Sequence, residues 1–483
     1  MDQSPSIKKK TTDGLLWNTT ERFASKAFQF VFSVLIARIL VPEYYGLIAI
    51  ANLCVSLSDV IVDSGFSKAL LRKSDKSEND YATVFWFNLV TSCVVYSLLW
   101  LFAPLIGAYY DSPELGSIVR VFSLSIILNA VCGIQKLRLI SDLDFRKIAV
   151  FEISAVLLSG VIAYILALRG AGVWALVYQG LSCALIRVLL FWVNLKWKPS
   201  RISSWDTMKE FFSFGSKLLL SEYVGRIYTA VCALFIGKKY STETLGLYGK
   251  SDAFASAPSG IIAGSINSVT YPVIAGIQDD DERMGRSFCT MTGLSAFLVF
   301  PLMAGLAVLS DDLIPFLLTD KWVPMVPIFK VLCFSYIFVT LGAIPQNYLL
   351  VRGKSGLFFR IQLASRLVGL ALLYPLSFLS VEAVCAGIGF CYLLNCILML
   401  CAVRKEIKFS FIQLIADILP SVLFSAIMYV AVYFSMGLVH GHLAAIGTGL
   451  FAGVTCYLGL ALLTRNKNIG QAAALLKPYL RKH

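Results

Sequence analysis

The sequence predicts an all-α integral membrane protein of about fourteen transmembrane helices, arranged as two six-helix bundles and a C-terminal helix pair. Three observations predict this fold class. Of the 483 residues, 58% are hydrophobic and 15% are charged, whereas soluble proteins carry about a quarter charged residues. The apolar residues form runs long enough to cross a bilayer as helices, and short polar loops separate them. A pattern of charged and polar residues near the N-terminus also returns 200 residues later.

The spans follow from the length that a helix needs, roughly 20 apolar residues. Applied along the chain, this length predicts fourteen segments. They are 15–37, 45–62, 82–103, 117–135, 149–168, 174–195, 211–236, 246–275, 287–308, 326–350, 357–379, 382–403, 412–435 and 442–464. Segment 246–275 is overlong and is expected to be broken at Pro258. Residues 309–325 are expected to form a proline-rich loop that dips into the membrane interface.

Basic residues are distributed unequally between alternate loops. The set of loops that includes both termini carries most of them. The opposite set carries Arg38, Arg169, Lys238, Lys239 and Lys321. Loops rich in Lys and Arg stay in the cytoplasm, so the imbalance predicts cytoplasmic termini and an even number of spans. The same distribution argues against nucleic acid as a partner, despite the net charge of +13.

The returning pattern indicates an internal repeat. Arg22 and Lys26 share one face of the first segment, and Asp59 belongs to a polar stripe on the second. With an offset of 200 residues and no gap, the two copies align Lys26 with Arg226, Arg38 with Lys238, Glu43 with Glu243, Gly46 with Gly246 and Asn52 with Asp252. An even number of spans separates the copies, which makes the repeat parallel and predicts a substrate path between the halves.

The repeat and the spans together predict four regions. Residues 1–200 form an N-terminal six-helix bundle, 201–403 a second bundle and 404–464 an extra transmembrane helix pair. Residues 465–483 form a basic amphipathic tail that is expected to lie on the anionic cytoplasmic leaflet. No loop exceeds roughly twenty residues, so a soluble domain of ordinary size is not expected.

Charged residues at membrane depth are the candidates for function, because they normally face a water-filled cavity or a partner. The basic ones are Arg22, Lys26, Arg120, Arg187, Lys217, Arg226, Lys250, Lys330 and Arg366; the acidic ones are chiefly Asp59, Glu222 and Asp252. A surplus of positive charge indicates an anionic cargo, since desolvated cations contact phosphate strongly. We expect Arg22, Lys26 and Arg226 to receive a phosphate-bearing headgroup.

Several of these residues also have structural explanations. Arg120, Arg187 and Lys330 lie near helix ends, and snorkelling to the interface explains them better. Glu222 and Arg226 are one helical turn apart and can neutralise each other. The carboxylate of Asp59 can balance the nearby cations instead of serving in proton coupling.

Polar and small residues leave two further alternatives open. Amide side chains can line a sugar path, although interhelical hydrogen bonds are their commoner use. These are Asn88, Asn129, Gln135, Gln179 and Asn347. Pro258 and Gly260, with Gly246, Gly249 and Gly264 nearby, predict a bendable helix that can act as a hinge. Close helix packing explains the same small residues about equally well.

An enzyme is not indicated. The sequence shows no nucleophile with a neighbouring base, no glycine loop that would cradle phosphate, and no cluster with metal-ligand spacing. The twelve cysteines all fall in apolar segments and form no CxxC pair. We therefore expect no metal and no cofactor, only a possible coupling of transport to a proton or sodium gradient or to the membrane potential.

Several motifs resemble those of a known family. Residues 37–47 (ARILVPEYYGL) resemble the connection after the first helix in bacterial polysaccharide flippases of the Wzx type. Residues 63–71 (DSGFSKALL) and 85–88 (FWFN) are similar to the branch that includes exporters of colanic and teichuronic acid units. Residues 245–249 (LGLYG) and 271–283, which begin with Tyr-Pro and end with QDDDER, strengthen the resemblance. It covers about the first 290 residues by landmarks and the remainder by hydropathy.

The resemblance implies the fold of the multidrug/oligosaccharidyl-lipid/polysaccharide exporter superfamily, with two bundles around a central cavity. It implies an undecaprenyl-pyrophosphate-linked oligosaccharide as cargo, moved across the bacterial cytoplasmic membrane. Arg22, Lys26 and Arg226 match the headgroup site that it implies, and Arg366, Lys250 and Asn88 are further candidates. Asp59, Glu222 and Asp252 are the candidates for a coupling ion. Membrane lipids, a polysaccharide polymerase and a chain-length regulator are the candidate partners.

Three other functions compete with this interpretation. A multidrug or organic-cation antiporter of the same superfamily would favour an acidic cavity over the basic one expected here. A membrane glycosyltransferase or polymerase would need a larger extramembrane loop or an acidic metal motif. A scaffold without transport would not need charged faces repeated 200 residues apart.

Overall fold

The computed structural model of this chain is built from α-helices, and the residues that it describes contain no β-strand. The described residues are 5–63, 66–73, 76–195, 197–200, 224–277 and 280–470. Contacts divide the helices into two compact units, Met1–Gly246 and Leu247–His483. The predicted boundary between the bundles, at residue 200, comes earlier in the chain than this division.

The described helices of the first unit are α1 (Pro5–Ile39), α2 (Pro42–Asp63), α3 (Phe66–Arg72), α4 (Glu78–Tyr109), α5 (Pro113–Phe122), α6 (Leu124–Ser141), α7 (Phe145–Leu168), α8 (Trp174–Asn194) and α9 (224–239). Helix α4 packs on α5 and α6, α8 packs on α5, α6 and α7, and α2 packs on α4 and α5. Helix α1 packs lengthwise on α7, where Gly160 leaves room for the ring of Phe32.

The second unit is organised around α11 and α12, which pack on each other and on α15 and α14. Its helices are α10 (Thr242–Gly276, whose first turn belongs to the first unit), α11 (Asp281–Leu318), a 3-10 helix (Asp320–Met325), α12 (Val326–Val351), α13 (Ser355–Leu376), α14 (Val381–Glu406), α15 (Phe411–Gly437) and α16 (His442–Leu463). One end of this core is filled by Phe288, which packs edge-on against the ring of Tyr348.

The predicted membrane fold is confirmed, because each of the fourteen predicted segments overlaps a described helix. Eleven spans in the described part of the chain are long and apolar enough to cross a membrane. Helices α1, α9 and α10 are not among them. Helix α1 begins with a polar stretch, only 224–239 of α9 is described, and α10 is rich in Gly and Ser and contains Lys250 and Asp252.

The prediction of a loop at residues 309–325 is wrong. Helix α11 continues through Pro315 to Leu318, and a 3-10 helix follows. Two aspartates in this segment have partners: Asp311 lies 2.7 Å from the Lys330 amine, and Asp312 lies 2.7 Å from a ring nitrogen of His442. Burial of Ile314 and Leu318 supplies apolar contacts for this part of the helix.

Two features between α2 and α6 were not predicted. The short helix α3 buries Phe66 and Leu70 against α4 and α6. The segment 117–135 is part of two helices, because the chain turns at Ser123 between α5 and α6. At the start of α4, Ser77 and Asp80 form a reciprocal capping box, and Asp80 also binds Lys73 at 2.8 Å. These caps explain why α4 begins at Glu78.

Candidate functional site

The first unit brings together three of the polar residues that the sequence singled out. Asp59 lies half-buried on α2, and the side chain of Asn129 on α6 is within hydrogen-bonding reach of its carboxylate. The guanidinium of Arg226 on α9 interacts electrostatically with the same carboxylate and is itself exposed. Asp63, one turn further along α2, adds a second negative charge. The group therefore combines an accessible cation with a carboxylate that partly neutralises it.

The first-helix cations lie on α1. Lys26 is exposed, and it follows Ser25, which is buried and donates a hydrogen bond to Glu21. Arg22 lies on the same helix, but its side chain is outside what the structure describes. Exposed Lys26 and Arg226 are equivalent in the sequence repeat. Each therefore presents a positive charge from the first helix of its copy.

Asn88 lies on α4 and is 5% exposed, so it is a core residue of the first unit. Its amide oxygen is buried and accepts no hydrogen bond from any described residue. Gln135, on the neighbouring helix α6, donates instead to the carbonyl of Trp197 at 3.2 Å. Gln135 therefore binds the non-helical segment after α8, whereas Asn88 keeps an unused acceptor of the kind that a water or a ligand hydroxyl satisfies.

Lys250 occupies a buried aromatic site in the second unit. It lies on α10 and is 5% exposed, with its amine 5.4 Å from the ring centre of Phe254 and 5.7 Å from that of Trp322. Trp322 belongs to the 3-10 helix and is fully buried. Cation–π attraction stabilises an amine in such a place. In this conformation Lys250 is therefore not accessible to a cargo.

Asp252 begins a line of polar contacts between α10 and α12. Its carboxylate accepts a hydrogen bond of 2.6 Å from the hydroxyl of Tyr336. Two more pairs continue the line: Ser259 with Thr340 at 2.7 Å, and Asn267 with Asn347 at 2.7 Å. These contacts hold the two helices in register, and they place Asn347 in an interhelical bond instead of a sugar path.

The predicted hinge residues lie in an unbroken helix. Helix α10 runs continuously through Pro258, so the expectation of a break there is wrong. The close-packing explanation also fails for three glycines, because no described atom lies within 4 Å of the position that a β-carbon would take at Gly249, Gly260 or Gly264. Two features still favour bending of this helix. Pro258 lacks a backbone N–H donor, and the nearby Gly260 and Gly264 are exposed.

Arg366 lies half-buried on α13, next to Ser365. The hydroxyl of Ser365 accepts a hydrogen bond of 2.9 Å from Asn395 on α14, and the carbonyl of Ser365 accepts one from the thiol of Cys391. The polar face of α13 is thus joined to α14 beside Arg366.

Glu152 is a buried charged residue that the sequence interpretation missed. It is 6% exposed on α7, and its two carboxylate oxygens lie 2.6 Å from the Lys136 amine and 2.9 Å from Nε of Arg187. Arg187 is therefore held by an ion pair. Lys330 binds Asp311, and Arg120 donates to the carbonyl of Trp100. Glu152 could have been identified from the sequence, because it is an acidic residue inside the apolar segment 149–168.

Two candidates fall outside the described residues, namely Lys217 and Glu222. The predicted pairing of Glu222 with Arg226 therefore stays a prediction. The tail is described only to residue 470, where Asn468 is buried and Lys467 binds Asp417 at 2.7 Å.

Comparison with known proteins identifies the family. Residues 35–327 match the family described as polysaccharide biosynthesis protein. The chain belongs to this family. It is 27% identical to the teichuronic acid biosynthesis protein TuaB of Bacillus subtilis over 77% of each chain. It is 26% identical to the succinoglycan biosynthesis transport protein ExoT of Rhizobium meliloti, over 69% of this chain and 67% of ExoT. It is 23% identical to the lipopolysaccharide biosynthesis protein WzxC of Escherichia coli, over 74% and 73% of the two chains.

Solved structures agree with the predicted fold. An inward closed conformation of the lipid II flippase MurJ matches with a TM-score of 0.77 and 16% identity, over 93% of this chain and 99% of the flippase. An inward-facing multidrug transporter of the MATE family matches with a TM-score of 0.63 and 13% identity, over 78% and 94%. The resemblance drawn from residues 37–88 and 245–283 is thereby confirmed at the level of family and fold. The protein is a multi-span membrane transporter of polysaccharide biosynthesis, and the expected absence of enzyme activity agrees with this family.

Proposed function

We propose that this protein is a flippase for undecaprenyl-pyrophosphate-linked oligosaccharides. Its cargo would be the repeat units from which a lipopolysaccharide, capsule or exopolysaccharide is built. The cargo enters from the cytoplasmic leaflet of the bacterial inner membrane and leaves in the outer leaflet by alternating access. Family membership and relatives whose names refer to teichuronic acid, succinoglycan and lipopolysaccharide support this cargo class. Cytoplasmic termini remain a prediction from the charge of the loops.

The observation that carries the proposal is the exposed guanidinium of Arg226, which interacts electrostatically with the carboxylate of Asp59. A lone cation inside a membrane protein is costly, so an empty site needs an internal counter-charge. Asp59 supplies that charge here. A pyrophosphate carries more negative charge than a carboxylate and can replace Asp59 as the partner of Arg226, with Lys26 and Arg22 on α1 completing the cationic site.

The remaining candidates take supporting roles in this proposal. Asp59 and Asp252 are the described residues that could respond to a proton or sodium gradient, and Glu222 is the third candidate. Asn88 offers an acceptor for a sugar hydroxyl. Lys250 and Arg366 would contact cargo only in a different conformation, because Lys250 is buried against Trp322 and Arg366 is half-buried on α13. Pro258 and Gly260 would allow α10 to bend during the cycle.

The alternative is an ion-coupled antiporter for drugs or organic cations, since MATE transporters share the fold. An organic cation would be repelled by exposed Lys26 and Arg226. The matched family model and the named relatives also concern polysaccharides and not drugs. The lipid-linked oligosaccharide therefore remains the proposed cargo.

Flipping in proteoliposomes tests the proposal. The cargo is a fluorescent polyprenyl-pyrophosphate oligosaccharide, and its appearance in the opposite leaflet is measured by quenching from outside. A charge-assisted hydrogen bond contributes ~1.5–3 kcal/mol, so Arg226→Ala should slow flipping about 10- to 100-fold. Arg169→Ala, which removes an exposed arginine at the end of α7, is the matched control. Wild-type protein that exchanges an organic cation and leaves this cargo in place would support the antiporter instead.

A further inference from the structure

The last turn of α9 is fastened to the end of α4 by a single lysine. The amine of Lys238 lies 3.1 Å from a carboxylate oxygen of Asp111 and donates a hydrogen bond to the backbone carbonyl of Tyr109. The same amine lies 4.9 Å from the centre of the Tyr109 ring. Tyr109 is the final residue of α4, where carbonyls lack helical partners and the helix dipole is negative. Lys238 thus caps α4 from another helix.

A second contact, one turn earlier on α9, strengthens this attachment. The hydroxyl of Tyr110 donates to the carbonyl of Leu234 at 3.1 Å. Asp111 adopts a φ of +53°, a left-handed conformation that aspartate tolerates better than most residues. This conformation turns the chain sharply between α4 and α5, beside the end of α9.

A few residues after Lys238, the chain begins α10, and the backbone of α10 meets the backbone of α2 within the first unit. A β-carbon on Gly46 would lie 1.7 Å from the carbonyl oxygen of Thr242. A β-carbon on Gly246 would lie 1.9 Å from that of Pro42. By sequence, α9 and the start of α10 belong to the second repeat copy, yet their contacts place residues 224–246 in the first unit. The connection between α9 and α10 is therefore held on the first unit.

The chemistry of this attachment suits a contact that is made and broken. The side chain of Asp111 is 86% exposed and that of Lys238 is 40% exposed, so water can replace each contact when they separate. Exposed ion pairs are individually weak. The carboxylate of Glu152, which pairs with Lys136, is only 8% exposed, so that pair suits a permanent role. Lys238 is also one of the few bases in the base-poor loops.

We propose that Lys238, with Asp111 and the Tyr109 carbonyl, forms a reversible clamp. It holds the α9–α10 connection against α4 in the conformation seen here and is released in the opposite conformation of the transport cycle. Removal of the lysine charge weakens the conformation seen here, whereas a covalent bridge between positions 111 and 238 traps it. The clamp rests on the proposed flippase function, because only a cycle between two conformations requires its release.

The first test uses cross-linking. The twelve native cysteines are replaced, and cysteines are introduced as Asp111→Cys and Lys238→Cys. A short bis-thiosulfonate reagent bridges them, and thiol counting by mass spectrometry gives the bridged fraction. Bridging should reduce flipping about tenfold or more, and dithiothreitol should restore it. Bridged protein that flips as fast as reduced protein overturns the clamp. Reduced protein that is folded and never flips the cargo counts against the proposed function instead.

The second test needs no cargo. In the cysteine-free background, Thr242→Cys reports the contact with Gly46 through its rate of reaction with a maleimide. Lys238→Met should raise this rate about tenfold by populating the released conformation, and Lys238→Arg should leave it near the parent value. Arg169→Met, at another turn of the same unit, is the control. An unchanged rate in Lys238→Met, with the fold intact, overturns the clamp regardless of what the protein transports.

Discussion

Gly46 and Gly246, which the sequence repeat places at equivalent positions, each lie against the first residue of the other copy's helix. Gly46 approaches the carbonyl of Thr242 at the start of α10, and Gly246 approaches that of Pro42 at the start of α2. Pro42 and Thr242 are themselves 200 residues apart in the sequence, so the contact is reciprocal. The repeat is thus expressed as a local two-fold contact, and each glycine is there because a side chain would not fit.

The first prediction concerns these two glycines. Gly46→Ala and Gly246→Ala should each destabilise the described conformation, because an added methyl group would overlap a backbone carbonyl. A loss of about 1–3 kcal/mol is expected, seen as a lower melting temperature in detergent. Gly260→Ala, where a β-carbon meets nothing within 4 Å, is the matched control and should melt like wild type. Equal melting of all three variants would contradict the contact.

The fold class could be predicted from the sequence because a membrane helix forms its backbone hydrogen bonds internally and exposes apolar side chains to lipid. Local hydropathy therefore located the fourteen segments, and the repeat placed Gly46 opposite Gly246 in alignment. Hydropathy could not show that the two glycines touch, since that contact depends on how distant helices pack. The prediction of a loop at residues 309–325 was also wrong, because there Lys330 and His442, which lie on other helices, provide partners for Asp311 and Asp312.

The second prediction separates a structural charge from a functional one. Glu152→Gln leaves Lys136 and Arg187 without their carboxylate in the core of the first unit. Both partners reach water, so the cost should be roughly 1–3 kcal/mol, below the ~3–5 kcal/mol of a fully buried pair. The melting temperature should fall, and flipping per folded molecule should stay near that of wild type.

Glu114→Gln, which removes an exposed carboxylate on α5, serves as the control for Glu152→Gln. A stable Glu152→Gln protein that no longer flips cargo would instead place the Glu152 cluster in the transport mechanism.

The third prediction concerns the internal counter-charge. Asp59→Asn removes the carboxylate that interacts with Arg226, so the guanidinium becomes more available to a pyrophosphate. The apparent KM for cargo should fall about tenfold, and the maximal rate should also fall because the headgroup leaves more slowly. A raised or unchanged KM with a reduced maximal rate would favour a coupling role for Asp59 over the counter-charge role.

The fourth prediction tests the bendable helix. Pro258→Ala restores a backbone donor in the middle of α10 and should stiffen it. Flipping should slow several-fold while the melting temperature stays equal or rises. Pro301→Ala, at an interior position of α11, is the matched control. Pro258→Ala protein that flips at the wild-type rate would remove the hinge from the mechanism.

The candidate site was only partly predictable for a related reason. Depth in an apolar segment identified Asp59 and Arg226, but depth cannot distinguish an accessible cation from a buried one. Lys250 shows the difference, since it lies between Phe254 and Trp322 and has little contact with solvent. Trp322 is 72 positions away in the chain, and no local pattern predicts that it covers Lys250.

The central claim is that Arg22 and Lys26, with Arg226, bind a pyrophosphate. The most direct measurement compares two cargoes that differ only in carrying a pyrophosphate or a monophosphate, in wild-type protein and in Arg22→Ala/Lys26→Ala. Matched amounts of folded protein are used, because a removed charge can also unfold a helix bundle. Wild type should flip the pyrophosphate cargo about tenfold faster, and the double variant should lose this preference. A folded double variant that keeps the full preference would contradict the claim.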